Sequence, residues 1–415
     1  MTSRSRDLDV VVYGATGFVG RLTAEYLAKH APEGTRIGLA GRSVERLEQV
    51  RAELGPAAAD WPLLRADATD ESSLRDLAAA AHVITTTVGP YAKYGLPLVR
   101  ACAEAGTDYV DLTGEVLFAR ESIDRFHDTA RSTGARIVHS CGFDSIPSDL
   151  GVHVLNQQVQ ADGEGTLTDT TLVVKMRGGV SGGTIDSMRT QLDVTKHDAK
   201  LRRLAASPYS LSPDRSAEPD LGRQPDMTMM VRGSEIAPEL NGWKAPFVMA
   251  PFNTRVVRRS NALSGWAYGR DFRYREVMSV GSSFATPAIA VGVGAVLGGL
   301  MAGLSFAPTR WVLDRVLPKP GEGPNEKSRQ QGYFTTDAYT RTTSGARYMS
   351  RISAQGDPGY AATAVMLGES ALSLALQRDD LPESPGGVLT PATALGDVLV
   401  DRLRGAGFTI EARRL

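Results

Sequence analysis

The chain has 415 residues, 42% hydrophobic and 22% charged, and its 46 Lys and Arg face 47 Asp and Glu. That composition excludes a disordered or fibrous polymer, and the charge balance excludes a general attraction to nucleic acid. The 2 cysteines, Cys102 and Cys141, exclude a disulfide framework and point to a reducing compartment. A chain of this length buries a large core and divides into roughly two or three domains. Arg4 and Arg6 run straight into Asp7, Asp9 and the first apolar segment, unlike a secretory leader, so a cytoplasmic location is expected.

The first element is the apolar run Val10-Val11-Val12-Tyr13, followed by Gly14-Ala15-Thr16-Gly17-Phe18-Val19-Gly20 and a helix-patterned stretch over 21–30. Strand, glycine turn and helix in this order make a dinucleotide-binding turn. Glycine lets the backbone approach a pyrophosphate, and the helix N-terminus offers unpaired N–H groups and the positive end of its dipole. Gly14, Thr16, Gly17, Phe18 and Gly20 are therefore expected to hold the cofactor, although an ordinary glycine-rich turn has the same letters. The second strand, 36–40, ends at Gly41-Arg42-Ser43 without the acid that binds a free ribose. Arg42 instead offers a planar, permanently charged fork for a 2′-phosphate, and Ser43 adds a hydroxyl while capping the next helix; a solvated surface arginine is the alternative. These residues predict NADPH.

The alternation continues through a strand at 63–66, a helix at 71–81 and a strand at 82–87, the rhythm of a doubly wound parallel sheet. Asp67 is placed for the adenine end of the cofactor, and Val88-Gly89-Pro90-Tyr91 for the nicotinamide half. Helices at 96–105 and 119–132, with strands at 109–112 and 136–139, complete the nucleotide domain near residue 140. Two loops at the carboxyl ends of the last strands, 111–115 and 141–149, carry the candidates for substrate orientation or proton transfer: Asp111, Glu115, Asp144 and Ser145. Asp144 to Ser148 also reads as helix capping with Pro147 in the first turn. Tyr91, Asp144 and Ser145 are the expected catalytic residues. His139 reads as a satisfied strand-end residue and Cys141 as packing. No Tyr is followed by Lys four positions later, so the proton-donor pair of short-chain dehydrogenases is absent, and the scattered histidines predict no metal.

Taken together, GATGFVG at 14–20, AGRS at 40–43, TTVGPY at 86–91, DLTGE at 111–115 and CGFDSIPSDL at 141–150 resemble the saccharopine-dehydrogenase-like oxidoreductases. Within them the chain is similar to the trans-acting enoyl reductases of actinobacterial lipid synthesis. SGGT at 181–184, RRSNAL at 258–263, WAYG at 266–269 and KPGEGP at 319–324 extend the likeness over nearly the whole chain. The resemblance implies NADPH-dependent reduction of a carbon-carbon double bond in an acyl chain held on the carrier protein of a polyketide synthase. It carries no assigned catalytic residues.

Further along, the glycines at 178–183 precede a helical stretch over 185–204 and offer a second anion or carbonyl site, or a flexible loop. Residues 206–226 read as an exposed excursion. Arg255, Arg258, Arg259, Arg270, Arg273 and Arg275, interleaved with Trp266, Tyr268, Phe272 and Tyr274, suggest a docking patch for a phosphopantetheine arm, an acidic carrier protein or anionic lipid. No charge occurs over 277–309, and 284–306 is almost wholly apolar. Its glycines and Pro287 favour a membrane-facing or re-entrant segment, or a helix lining an acyl channel, over a true span, with charge at Leu297 or Leu300 as the probe of membrane affinity. Residues 330–353 predict antiparallel strands, and 392–403 an amphipathic helix.

The expected architecture is α/β: a Rossmann doubly wound parallel sheet over 1–140, a mixed α+β substrate domain over 141–385, and a segment over 386–415 whose helix returns to the first domain. The expected function is enoyl reduction in lipid biosynthesis, at the inner face of the plasma membrane through 277–309, with no nucleic-acid partner. The alternatives are imine or carbonyl reduction of a small metabolite, and a non-catalytic, membrane-associated NADPH-binding role.

Overall fold

A computed structural model describes residues 6–178, 182–222, 224, 230–283, 285–305, 309, 311 and 325–415. Strands β1 (Leu8–Tyr13), β2 (Ile37–Gly41), β3 (Leu63–Arg65), β4 (Ala81–Thr86), β5 (Asp108–Val110) and β6 (Arg136–Val138) alternate with helices α1 (Phe18–His30), α2 (Val44–Leu54), α3 (Glu71–Ala80), α4 (Tyr91–Ala105) and α5 (Val116–Thr133). Their local causes are ordinary. Ser43 accepts the Arg46 N–H at the start of α2, and Asp70 accepts the N–H groups of Ser72 and Ser73 at the start of α3. Strands buried on both faces read as continuous apolar runs, as Val10, Val11 and Val12 do at 0% exposure.

After α6 (Ile146–Ala161) come β7 (Leu167–Arg177), α7 (Gly182–His197), α8 (Ala199–Ala206), β8 (Val231–Arg232), α9 (Gly233–Ile236), β9 (Trp243–Pro246), α10 (Ala250–Leu263), β10 (Arg273–Ser279) and α11 (Thr286–Ser305). The chain closes with β11 (Tyr333–Thr342), β12 (Arg347–Gln355), the helix Ala361–Leu376, β13 (Gly387–Leu389), two short helices and β14 (Thr409–Arg414). The first sheet is parallel, in the order β13-β6-β5-β4-β1-β2-β3; β1 pairs with both β2 (Tyr13 opposite Ala40) and β4 (Tyr13 opposite Thr86), so strand order reverses there. The second sheet is mixed, in the order β14-β12-β11-β7-β10-β9-β8, with β7 and β10 parallel. The expected antiparallel strands are β11 and β12, joined from Tyr333–Gln355 to Arg341–Arg347.

The chain passes between the two sheets more often than a division at 140 and 385 describes. The helix Ala361–Leu376 packs on β1, β4, β5 and α1 of the first sheet. Tyr26 of α1 donates to Glu369 of this helix, and Arg402 salt-bridges the same carboxylate. The last segment reaches the first sheet as strand β13 beside β6 and then leaves it, since β14 pairs with β12 in the second sheet. β14 forms the edge of that sheet and satisfies the backbone donors and acceptors that β12 would otherwise expose, and Ile410 of β14, 5% exposed, turns inward there. The 392–403 stretch forms two short helices, Pro391–Ala394 and Gly396–Gly405.

Three sequence expectations are corrected. Arg255, Arg258 and Arg259 form no docking patch: they are 2%, 5% and 2% exposed on α10, with Tyr268, Phe272 and Tyr274 buried beside them. Their guanidinium groups donate inward, Arg255 to the carbonyls of Ser207 and Ala205, Arg258 to Tyr274, and Arg259 to Leu211 and Val388. The same bonds explain why the start of the expected excursion, 206–212, is held in, while 213–216 is exposed as expected. Leu211 is 2% exposed and Ser210 is fully buried, because the arginines hold this segment's carbonyls against α10. In the third, α4 starts at Tyr91 rather than at 96, with Pro97 inside it. Of the stretches singled out above, 319–324 and parts of 178–184, 206–226 and 277–309 lie outside the described residues.

Candidate active site

The carboxyl ends of β1, β2 and β4 open onto a cavity of about 930 Å³. Gly14, at φ +89°, begins the turn after β1; a Cβ there would stand 2.8 Å from Val88 Cγ2 and 2.9 Å from Thr87 Oγ1. Gly20 serves closeness from below, since its Cβ would fall 2.2 Å from the Gly14 carbonyl oxygen. The turn thus brings α1 hard against the strand end, and α1 begins at Gly17 with no side-chain cap. Its first N–H groups are left to a ligand, and an anion is the partner they suit. Gly14, Thr16, Gly17 and Phe18 line the cavity; Gly20 lies under the turn.

Arg42 lines the same cavity and makes no hydrogen bond with the described residues. Ser43 is not a lining residue: its hydroxyl is taken up at 3.3 Å by the Arg46 N–H and at 2.8 Å by Glu45. Asp67 lines the wall beside Arg42, and its carboxylate accepts the Thr69 N–H and hydroxyl, which hold it below the usual range. Val88, Gly89 and Pro90 line the wall after β4, with the Val88 N–H on Thr86 Oγ1 at 3.2 Å. An uncapped helix start, an unengaged guanidinium and glycines with no room for a Cβ fit a dinucleotide carrying a 2′-phosphate.

The three expected catalytic residues separate. Tyr91 lines the cavity with its ring, but its hydroxyl donates to the Thr86 carbonyl at 3.1 Å and accepts the Leu112 N–H at 3.2 Å. Burial pushes the phenol well above its ordinary value, so Tyr91 ties two loops together rather than offering a proton. Ser145 is fully buried behind the wall. It donates to Asn253 Oδ1 at 3.1 Å, and Asn253 in turn donates to Ser148 and Glu276. Only Asp144 presents its side chain to the cavity without a hydrogen-bond partner among the described residues, and burial alone pushes its carboxyl up to about 6. A carboxyl so placed is partly protonated near neutral pH, where an ordinary aspartate is not.

Glu115 organises this wall. Its carboxylate accepts the N–H of Tyr91 at 3.0 Å, the N–H of Ala92 at 2.7 Å and the hydroxyl of Ser187 on α7 at 2.7 Å. It therefore caps α4 from another loop, which is why α4 starts early. Asp111 faces inward, bonded to His139 Nδ1 at 2.7 Å and Tyr109 at 2.9 Å, while His139 Nε2 meets Ser122 at 2.8 Å. Tyr94 and Tyr360 line the cavity and escaped sequence reasoning. Tyr360 packs edge-on to Phe18 at 5.1 Å, and burial raises its phenol. It lies 342 positions from Phe18, and no local pattern announces such a contact. Among the described residues no group of three or more His, Cys, Asp or Glu side chains forms a metal site.

Much of the cavity's lining is apolar, with residues such as Met188, Met249, Phe252, Leu297 and Leu300. The last two belong to α11, the helix long and apolar enough, by length and composition alone, to cross a membrane. They are cavity residues, so they are not the positions at which to probe membrane affinity; α11 turns Val291 and Val296 outward, at 59% and 70% exposure.

Residues 10–138 match the saccharopine dehydrogenase NADP-binding domain. A trans-acting enoyl reductase of Mycobacterium ulcerans (strain Agy99) is 53% identical over 422 residues, covering 100% of both chains. One of Mycobacterium tuberculosis (strain ATCC 25618 / H37Rv) is 52% identical over 421 residues, again 100% of both. Among solved structures, apo saccharopine dehydrogenase (L-Glu forming) from Saccharomyces cerevisiae superposes with a TM-score of 0.53 at 12% identity, over 98% of this chain and 99% of that one. At that identity the likeness is one of fold.

Proposed function

The chain belongs to the family of the mycobacterial trans-acting enoyl reductases, within the saccharopine dehydrogenase-like proteins, and from that premise we propose that it reduces the carbon-carbon double bond of an α,β-unsaturated acyl thioester. NADPH, held by the 14–18 turn, Arg42, Asp67 and the 88–90 loop, supplies the hydride to the β-carbon when bound. The chain is presented on the carrier protein of a polyketide synthase in complex lipid synthesis. Asp144 carries the reading: it is a partly protonated carboxyl on the wall of the same cavity that the nucleotide loops and the apolar side chains Met188, Phe252 and Leu297 line.

Asp144 gives its proton to the α-carbon as the enolate collapses, and its carboxylate recovers a proton from solvent. Tyr91 and Glu115 position the 88–90 loop that would hold the nicotinamide, and the apolar wall keeps water from the reacting carbons. A small polar metabolite is served less well, because among the described residues the lining cations are Arg42, beside the glycine turn's loops, and Arg255, bonded to backbone carbonyls. The protein works on the cytoplasmic side with the outer face of α11 against the membrane surface; the exposure of Val291 and Val296 supports that placement.

Single-turnover oxidation of bound NADPH, followed optically, tests the function with an enoyl thioester on a carrier protein and a small oxo or imino acid as control. Enoyl-dependent oxidation, with two hydrogens gained by the chain in the mass spectrum, is the expected result. Tight NADPH binding with no oxidation by any acceptor overturns it in favour of a sensing or assembly role.

A further inference from the structure

The wall that α11 adds to the cavity is unusual for a helix. Gly294, Leu297, Gly298 and Leu300 all line it. Glycine is among the least favourable residues in a helix interior, and these two are held in helical backbone, where no left-handed conformation demands them. Close packing does not demand Gly298 either, because a Cβ built there meets nothing within 4 Å. Where neither backbone nor neighbouring protein requires the missing side chain, the space it leaves is available to a ligand. Met188, Met249 and Phe252 line the same cavity, so the space beside these glycines opens among apolar side chains.

We infer that Gly294 and Gly298, with Leu297 between them, set how long an acyl chain the cavity accepts. This rests on the reductase reading for the identity of the substrate, but the geometry concerns only the chain's fit. Leu297 stands as the side chain the acyl tail passes, and the glycines before and after it keep the passage open. A leucine at either glycine fills the channel from the helix side. Truncating Leu297 to alanine widens it.

The test is a binding series with the full chain and NADP⁺, titrating saturated pantetheine thioesters of four and twelve carbons. In the native protein, affinity rises by about fourfold per methylene that the lobe buries. For Gly294→Leu the twelve-carbon thioester is expected to weaken on the order of 100-fold, the equivalent of three or four methylenes excluded, while the four-carbon thioester and NADP⁺ bind as before. Gly298→Leu acts in the same direction, and Leu297→Ala shifts the preference toward longer chains. A leucine raises helix propensity at both positions, so folding is expected to survive, and the alanine variant reports even if one leucine variant does not fold. Equal weakening of both thioesters, or an unchanged ratio between them in all three variants, overturns the inference. Single-turnover reduction separates it from the reading beneath it. Binding that shifts as expected with no enoyl thioester reduced leaves the gauge standing and removes the reductase, whereas reduction with the same chain-length profile in every variant does the reverse.

Discussion

At the scale of single residues, neighbours in sequence have opposite fates. Asp144 faces the cavity and Ser145 is fully buried with its hydroxyl on Asn253. If Asp144 donates the proton, its protonated form is complete below its raised value of about 6 and is lost as pH rises through it. Turnover is therefore expected to fall about tenfold per pH unit above that point. Asp144→Asn is expected to lower kcat by about 10²–10⁴-fold and flatten the profile, with the Kd for NADPH unchanged; a retained slope in a pH-rate series removes Asp144 from the role. Arg42 belongs to the same scale. Arg42→Ala deletes charge-assisted bonds to the 2′-phosphate and is expected to weaken NADPH binding by about 10- to 100-fold while leaving NADH binding alone, as fluorescence titration of both cofactors reads.

Elements show where local rules stop. The expected start of α4 at 96 falls a turn late: the helix begins at Tyr91, with Pro97 inside it, because Glu115 supplies the cap from the loop after β5. Glu115→Gln replaces one accepting oxygen by an N–H₂ that faces donors, and is expected to cost about 1–3 kcal/mol in a denaturant melt. The variant should also lower kcat without moving the pH profile, since Asp144 is untouched; an unchanged melt denies the cap its weight. In α11 the uncharged run was legible, but composition has no direction, and only packing separates Leu297 and Leu300 on the cavity side from Val291 and Val296 outside. Val291→Asp together with Val296→Asp is expected to abolish co-sedimentation with anionic vesicles and keep NADPH affinity. Undiminished sedimentation of the variant, or none of the native protein, overturns the proposed contact through α11.

Across the whole molecule, buried carboxylates join the layers. Asp149 of α6 accepts the Ala392 N–H at 2.8 Å beside Ser260 of α10, and Glu276 of β10 accepts from Asn253 at 3.0 Å and Tyr274 at 2.9 Å. Burial pushes each up to about 7. A carboxyl raised on folding favours the folded state most at low pH and loses that advantage as pH climbs from its unfolded value to its folded one. Glu276→Gln is therefore expected to gain about 2 kcal/mol on the native protein between pH 5 and pH 8. Urea melts at both pH values measure this, and a gain toward acid pH contradicts the burial account.

Local patterning was enough for the parallel nucleotide sheet, the glycine turn at 14–20 and the antiparallel pair at the far end. Each of these is written in local periodicity, or in a turn that only certain residues can make. Tertiary structure alone decided that three of the α10 arginines are internal ties, that Tyr91 and Ser145 are spent on neighbours, that Tyr360 joins the cavity, and that α11 has an inside. Those outcomes depend on partners far along the chain, Arg259 with Val388 or Phe18 with Tyr360. A polar side chain reads the same in sequence whether it meets solvent, a backbone carbonyl or a ligand, and burial is what distinguishes the three.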